Sequence, residues 1–173
     1  YSARFPWRGG RHPWLDAVVK TSQYLIGIES KRFEPYRDAK SVTLSEAYWR
    51  DVWGDKMAAY ELLRNDLNSK HVKYKYLDAA QLVKHAFGLR TDAVMRLGVK
   101  PILVYLHVNS PRNSPVKITA KMIADHQDEI DDFSKRVKSA EVEFFALSYS
   151  DWLTAFTGKH AEHAKALNKK YTL

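Results

Sequence analysis

The chain has 173 residues, 45% of them apolar and 13% aromatic, with a formal charge of +8 and no cysteine. That composition excludes a disordered segment, a disulfide framework, a thiolate zinc site and a cysteine nucleophile. No apolar run approaches the roughly 20 residues of a membrane span and no secretory signal is visible; one core-bearing domain over residues 1–173 is expected, cytoplasmic, with a basic balance that favours polyanionic partners.

A short strand is expected from Arg4 to Trp7, followed by a turn at Gly9-Gly10. Asp16 to Lys20 and Leu25 to Lys31 read as two strands of a hairpin, rich in β-branched and small apolar residues. From Ser45 to Leu67 the period becomes helical. Trp49, Trp53, Met57, Tyr60, Leu63 and Leu67 recur at three- and four-residue steps, which assigns both tryptophans to the core. Thr43 with Glu46 reads as a capping box, and Gly54 as a kink or break. Lys70 to Tyr76 is a basic, aromatic connection.

Asp78 opens a second helix that either ends near Gly88 or continues, after a break, towards Leu97. Pro101 starts the run ILVYLHV, whose continuous apolarity predicts a central parallel strand buried on both faces. NSPRNSP is a loop. Ile118 to Val137 is a third helix, with Met122, Ile123, Ile130, Phe133 and Val137 inward and the acids from Asp128 to Asp132 on a solvated face. A strand from Val142 to Leu147, a helix from Ser150 to Phe156 and a basic tail follow. This order of elements predicts an α/β sandwich with a mixed central sheet.

The hairpin carries the sharpest chemical signal. Placing Asp16 opposite Glu29 closes the pair through a four-residue loop, Thr21 to Tyr24. Asp16, Glu29 and Lys31 then share one face, while Ala17, Val19, Ile26 and Ile28 make the other wholly apolar, the face expected to meet the core. Gly27 is expected to leave open space beside the two acids. Two carboxylates held close repel unless a cation lies between them. Oxygen donors suit Mg²⁺ or Mn²⁺, and an adjacent lysine orients water or stabilises charge on a phosphate. Those parts make a phosphodiester hydrolase.

Asp16 followed by Glu29-Ser30-Lys31 on the next strand resembles the PD-(D/E)xK nuclease superfamily, the restriction-endonuclease-like fold. Pro13-Trp14-Leu15-Asp16 departs from a strict Pro-Asp pair; IESK matches well. GRHPWLD, LIGIESKRFEPYR, AYWRDVWGDKM and LDAAQLVKHAFGLRT resemble, more narrowly, a bacterial group of restriction-endonuclease-like proteins, over roughly residues 9 to 156. The resemblance implies an α/β/α sandwich on an αβββαβ-type core. It also implies a metal site of Asp16, Glu29 and the Ser30 backbone carbonyl, with Lys31 beside it. The acid-bearing N-terminal helix of many superfamily members is not seen in this chain.

Gln81 has two readings: a glutamine pointing at the site, as in some superfamily branches, or the partner of Asp78 in a capping box. Lys84 and His85 are expected as substrate contacts near the same face. Arg32, Arg37 and Lys40, interleaved with Phe33 and Tyr36, suit a phosphate backbone and unstacked bases. His12, near Asp16 in sequence, is a candidate for the site's rim or an ordinary surface residue. His160 and His163 are assigned to a basic surface.

The function expected is a Mg²⁺- or Mn²⁺-dependent nuclease acting on nucleic acid, DNA foremost. The alternatives are a non-catalytic nucleic-acid-binding or interaction module on the same fold, and a hydrolase of another phosphate ester. A homodimer is compatible with the sequence, which writes no interface, and no membrane partner is expected.

Overall fold

The computed structural model describes residues 1–2, 12–108 and 116–171. The expected strand at Arg4 to Trp7, the Gly9-Gly10 turn and the NSPRNSP loop lie outside them. Strand β1, Ala17–Lys20, turns into β2, Tyr24–Lys31. Thr21 locks the turn: its Oγ1 accepts from Gln23 N at 3.2 Å and from Tyr24 N at 2.8 Å, and its own N–H donates to Tyr24 O. Ala17 pairs with Ile28 and Lys20 with Leu25, which is the register that sets Asp16 across from Glu29.

Among the described residues the sheet is four-stranded, in the order β1-β2-β3-β4, with β3 at Lys100–His107 and β4 at Glu143–Ser148. β1 and β2 are antiparallel; β2, β3 and β4 are parallel, as the long helical crossovers require. The helices are the short α1, Glu34–Arg37, then α2, Ala58–Asn68, α3, Ala79–Arg90, α4, Ala120–Val137, α5, Tyr149–Thr154, and α6, Ala161–Tyr171. The molecule is therefore α/β with a mixed sheet, the architecture expected.

The expected long helix from Ser45 is broken. Gly54, at φ 80°, separates a 3-10 turn at Glu46–Trp49 from another at Asp55–Met57, and only then does α2 begin. Ser45 rather than Thr43 stands at the first cap, without a side-chain bond, and Thr43 Oγ1 pairs with Ser41 Oγ at 2.7 Å. Trp53 is buried and stacks on Phe87, with ring centroids 4.4 Å apart; such a pair adds about 1 kcal/mol to its area burial. Trp49 is not core: it is 39% exposed and covers the Arg64 guanidinium at 4.6 Å. α3 continues as a π-helical turn at Thr91–Leu97 and stops at Gly98, φ 65°.

The packed face of the sheet is the one that holds the charges. Leu25, Gly27, Glu29, Leu103 and Tyr105 are buried beneath α3 and its neighbours. The wholly apolar face of the hairpin is the open one. Val19 is 46% and Phe145 48% exposed there, and Ile26, Ile28, Ile102 and Val104 are half-buried. β3 is thus central and parallel, but fully buried only towards its C-terminal end. Gly27 leaves no space either. A Cβ there would meet Leu15 Cδ1 at 2.6 Å and both Leu89 methyls at 3.2 Å.

α4 buries Ile130, Phe133 and Val137, while Met122 and Ile123 are half-buried. Its acids are not all solvated. Glu129 takes the backbone N–H groups of Lys75, Tyr76 and Leu77 at 2.7–2.8 Å, and Asp132 takes Tyr74 Oη at 2.5 Å. These bonds pin the chain that leads into α3.

Candidate active site

The C-terminal end of β2 puts Lys31 against Glu29, with Asp16 across the hairpin from Glu29 in register; neither acid is among the described lining of the cavity in front of Lys31. Asp16, just before β1, is exposed, and its Oδ2 accepts from Ser30 N at 2.8 Å. The N–H and C=O of one strand residue leave on the same edge, so the Ser30 carbonyl faces the Asp16 side. Glu29 is buried, with Lys31 Nζ 2.5 Å from its Oε1 and His85 Nε2 2.9 Å from its Oε2. Both nitrogens stand at contact distance, yet neither carboxylate oxygen completes a well-aligned hydrogen bond.

Burial alone would raise the Glu29 carboxyl, but His85 and then Lys31 outweigh it and hold the group below its usual 4.5. Burial alone would likewise lower Lys31. Glu29, then Asp16 and Glu34, reverse this and keep it above the usual lysine value. Lys31 is therefore an ammonium across the physiological range.

A cavity of about 220 Å³ opens in front of Lys31, walled by Glu34, Lys40, Asp78, Gln81 and Tyr105 among others. Asp78 Oδ1 caps α3 by accepting from Gln81 N at 2.9 Å. The Gln81 side-chain amide takes no hydrogen-bond partner among the described residues, which leaves it available to the cavity. Glu34 Oε2 accepts from Arg32 N and Phe33 N at 2.8 and 2.9 Å, fixing the turn into α1. Lys40 Nζ donates to the carbonyls of Glu34 at 2.6 Å and Asp38 at 2.9 Å, and its burial lowers it below the usual lysine value despite Asp78 and Asp38.

Behind Lys31 lies a buried aromatic and histidine cluster. Tyr105 is the β3 partner of Glu29, and His107 that of Lys31. His126 of α4 bridges Tyr105 Oη, 3.0 Å from its Nε2, and Tyr36 Oη, 3.3 Å from its Nδ1. His107 stacks on Tyr105 and meets His126 edge-on, each with centroids 5.5 Å apart. Burial pushes His107 down to about 4 and His126 down to about 3, so both rings are neutral near pH 7. The residues Tyr105, His107 and His126 went unassigned in the sequence. Their signal was present: the alternation in ILVYLHV sets Leu103, Tyr105 and His107 on one face of an otherwise apolar strand.

Other expected contacts sit further out. Arg32 covers the Phe33 ring at 4.7 Å. Exposed Arg37 forks onto Asp38, Nε to Oδ1 at 2.6 Å and Nη2 to Oδ2 at 2.9 Å. Lys84 is half-buried one turn beyond Gln81 and is not among the described lining of the cavity. His85, expected as a substrate contact, is 2% exposed and faces Glu29 instead. His12 is half-buried, and His160 and His163 are exposed.

Among the described residues no three His, Cys, Asp or Glu side chains converge as a ready metal cage. Asp16 retains Oδ1 beyond its bond to Ser30, the Ser30 carbonyl lies on the Asp16 edge, and Glu29 would take an ion in exchange for Lys31 or His85, which now hold its two oxygens without well-aligned hydrogen bonds. Two carboxylates and a carbonyl are hard oxygen donors of the number that Mg²⁺ takes from protein, water completing its shell. The donor set fits that ion.

Over residues 1–172 the chain matches the family described as Restriction Endonuclease associating with ARP. No curated protein and no solved structure matches it.

Proposed function

The chain belongs to the family described as Restriction Endonuclease associating with ARP, and from that premise we propose that it is a metal-dependent nuclease of PD-(D/E)xK type on a restriction-endonuclease-like fold, hydrolysing phosphodiester bonds in DNA. The observation that carries this reading is the hairpin register. It sets Asp16 across from Glu29 and places Lys31 at 2.5 Å from Glu29, at the mouth of a cavity.

Asp16, Glu29 and the Ser30 carbonyl would hold Mg²⁺ or Mn²⁺, which when bound supplies a Lewis acid to the phosphoryl group. The protein's own groups do the rest. Lys31, kept charged by Glu29, offers its ammonium to the charge that develops on the non-bridging oxygens and orients the attacking water. Gln81 presents its free amide to the same cavity. Lys40 stands at the cavity's rim for a flanking phosphate, with Arg32, Arg37 and Lys84 further along the substrate path. His85 positions the Glu29 carboxylate from the side opposite Lys31.

The test is metal-dependent cleavage of single- and double-stranded DNA by wild type and Lys31→Ala. Lys31→Ala is expected to lose at least about 100-fold in rate, the usual worth of one group aimed at developing charge, with an unchanged circular dichroism spectrum. Cleavage at the wild-type rate would reject the mechanism, and DNA binding without cleavage by wild type would favour a binding module.

A further inference from the structure

The cavity in front of Lys31 has a neighbour. A groove of about 510 Å³ runs between the loop after α1 and the turn after α2, and Lys40 lines both spaces. The two differ in charge. The first mixes lysines with Glu34, Asp38 and Asp78, whereas the second has Lys40, Lys70 and Lys73 with Ser41, Thr43 and Asn68, and no carboxylate among its described lining. The acids behind it are spent elsewhere, since Arg136 takes both Asp132 at 2.8 Å and Asp66 at 3.3 Å. Lys70 and Lys73 are exposed and make no ion pair among the described residues.

A second, independent feature marks the same place. Lys70, at φ 64°, is the only non-glycine with positive φ among the described residues. It follows the C-cap of α2, where the left-handed conformation favours glycine or asparagine. A lysine there is strained for its backbone, and strain that a glycine would remove points to a use for the side chain.

We infer that this groove binds the phosphate backbone of a polynucleotide, carrying the strand away from the Lys31 cavity past Lys40 to Lys70 and Lys73. The inference rests on the nuclease reading for its direction but not for its test. Lysines around a concave surface with hydroxyl and amide donors hold successive phosphates without reading bases. The ligand class is therefore a polynucleotide engaged through its backbone, DNA on the nuclease reading, with little sequence preference from this surface.

The experiment is fluorescence anisotropy of a labelled mixed-sequence duplex, and of its single strand, in EDTA to prevent cleavage. Salt is varied from about 50 to about 200 mM, the range over which phosphate contacts are lost. Wild type is compared with Lys70→Gly, Lys73→Ala and the double variant. For each lysine removed, the slope of log K against log salt is expected to fall by about 0.9 on duplex and about 0.7 on single strand. Lys70→Gly is expected to melt at or above the wild-type temperature, so that lost affinity is not lost folding. Wild-type affinity and slope in the double variant would overturn the groove while leaving the nuclease reading intact, because Lys31→Ala tests that separately. Failure of wild type to bind DNA would overturn both. Lysine-dependent binding with no metal-dependent cleavage would support the groove and reject the catalysis.

Discussion

Gly27 shows how tightly the charged face is packed. It sits directly under α3, and a methyl group there would press Leu15 at 2.6 Å and Leu89 at 3.2 Å. Leu15 is itself buried, so its methyl has little room to swing away. Gly27→Ala is expected to cost about 1–2 kcal/mol, read as a shift in the urea midpoint, and Leu15→Val is expected to restore part of it in a double-mutant cycle. Simple additivity of the two would place the Leu15 contact elsewhere. Glu29 shares this packed face because its charge is answered on both sides, by Lys31 and by His85. An unanswered carboxylate could not remain ionised there.

Where β3 meets α4, two buried histidines make the fold sensitive to acid. His107 is held down at about 4 and His126 at about 3, chiefly by burial. The unfolded chain binds a proton at each near 6.5, while the folded chain stays neutral. Their stabilising contribution is therefore complete above about pH 6.5 and is lost as pH falls towards about 4 and then about 3. Well inside that window the slope approaches 1.4 kcal/mol per pH unit for each histidine. Urea unfolding at pH 6.5, 5.5 and 5 is expected to show it, and His107→Phe is expected to remove one histidine's share while keeping the stack on Tyr105. An unchanged slope in that variant would mean that His107 is not the titrating group.

For the molecule as a whole, the proposed metal site predicts a link between cation concentration and stability. A cation that binds only the folded hairpin stabilises by RT ln(1 + [L]/Kd), about 2.7 kcal/mol at 100 times Kd. In a chain of this size that is roughly 5–10 °C. Mg²⁺ and Mn²⁺ are expected to raise the melting temperature of wild type and not of Asp16→Ala. No shift in wild type would remove the ion from the hairpin. The open apolar face of the sheet, with Val19, Phe145 and Leu147 exposed, sits on the side away from this chemistry.

The sequence by itself determined the hairpin register, which sets Asp16 across from Glu29, and the order of the strands and main helices, but not α1 or α6, which it read as a basic loop and a basic tail. These follow from local periodicity: alternation sets which residues share a face, and loop length sets which residues meet. It pointed to the wrong buried face, because apolarity alone favours the side of Ala17 and Val19. Ala17, Val19, Ile26 and Ile28 are more apolar than Leu25, Gly27 and Glu29, yet the latter lie under α3, because the helix carries His85 to pair with Glu29 and Leu89 to fill the gap over Gly27. Only the tertiary structure joined Tyr36, Tyr105, His107 and His126 behind the site, or set Lys70 and Lys73 beside Lys40. Those residues come from segments tens of positions apart. Their meeting depends on how helices seat on the sheet, and no short-range pattern encodes that.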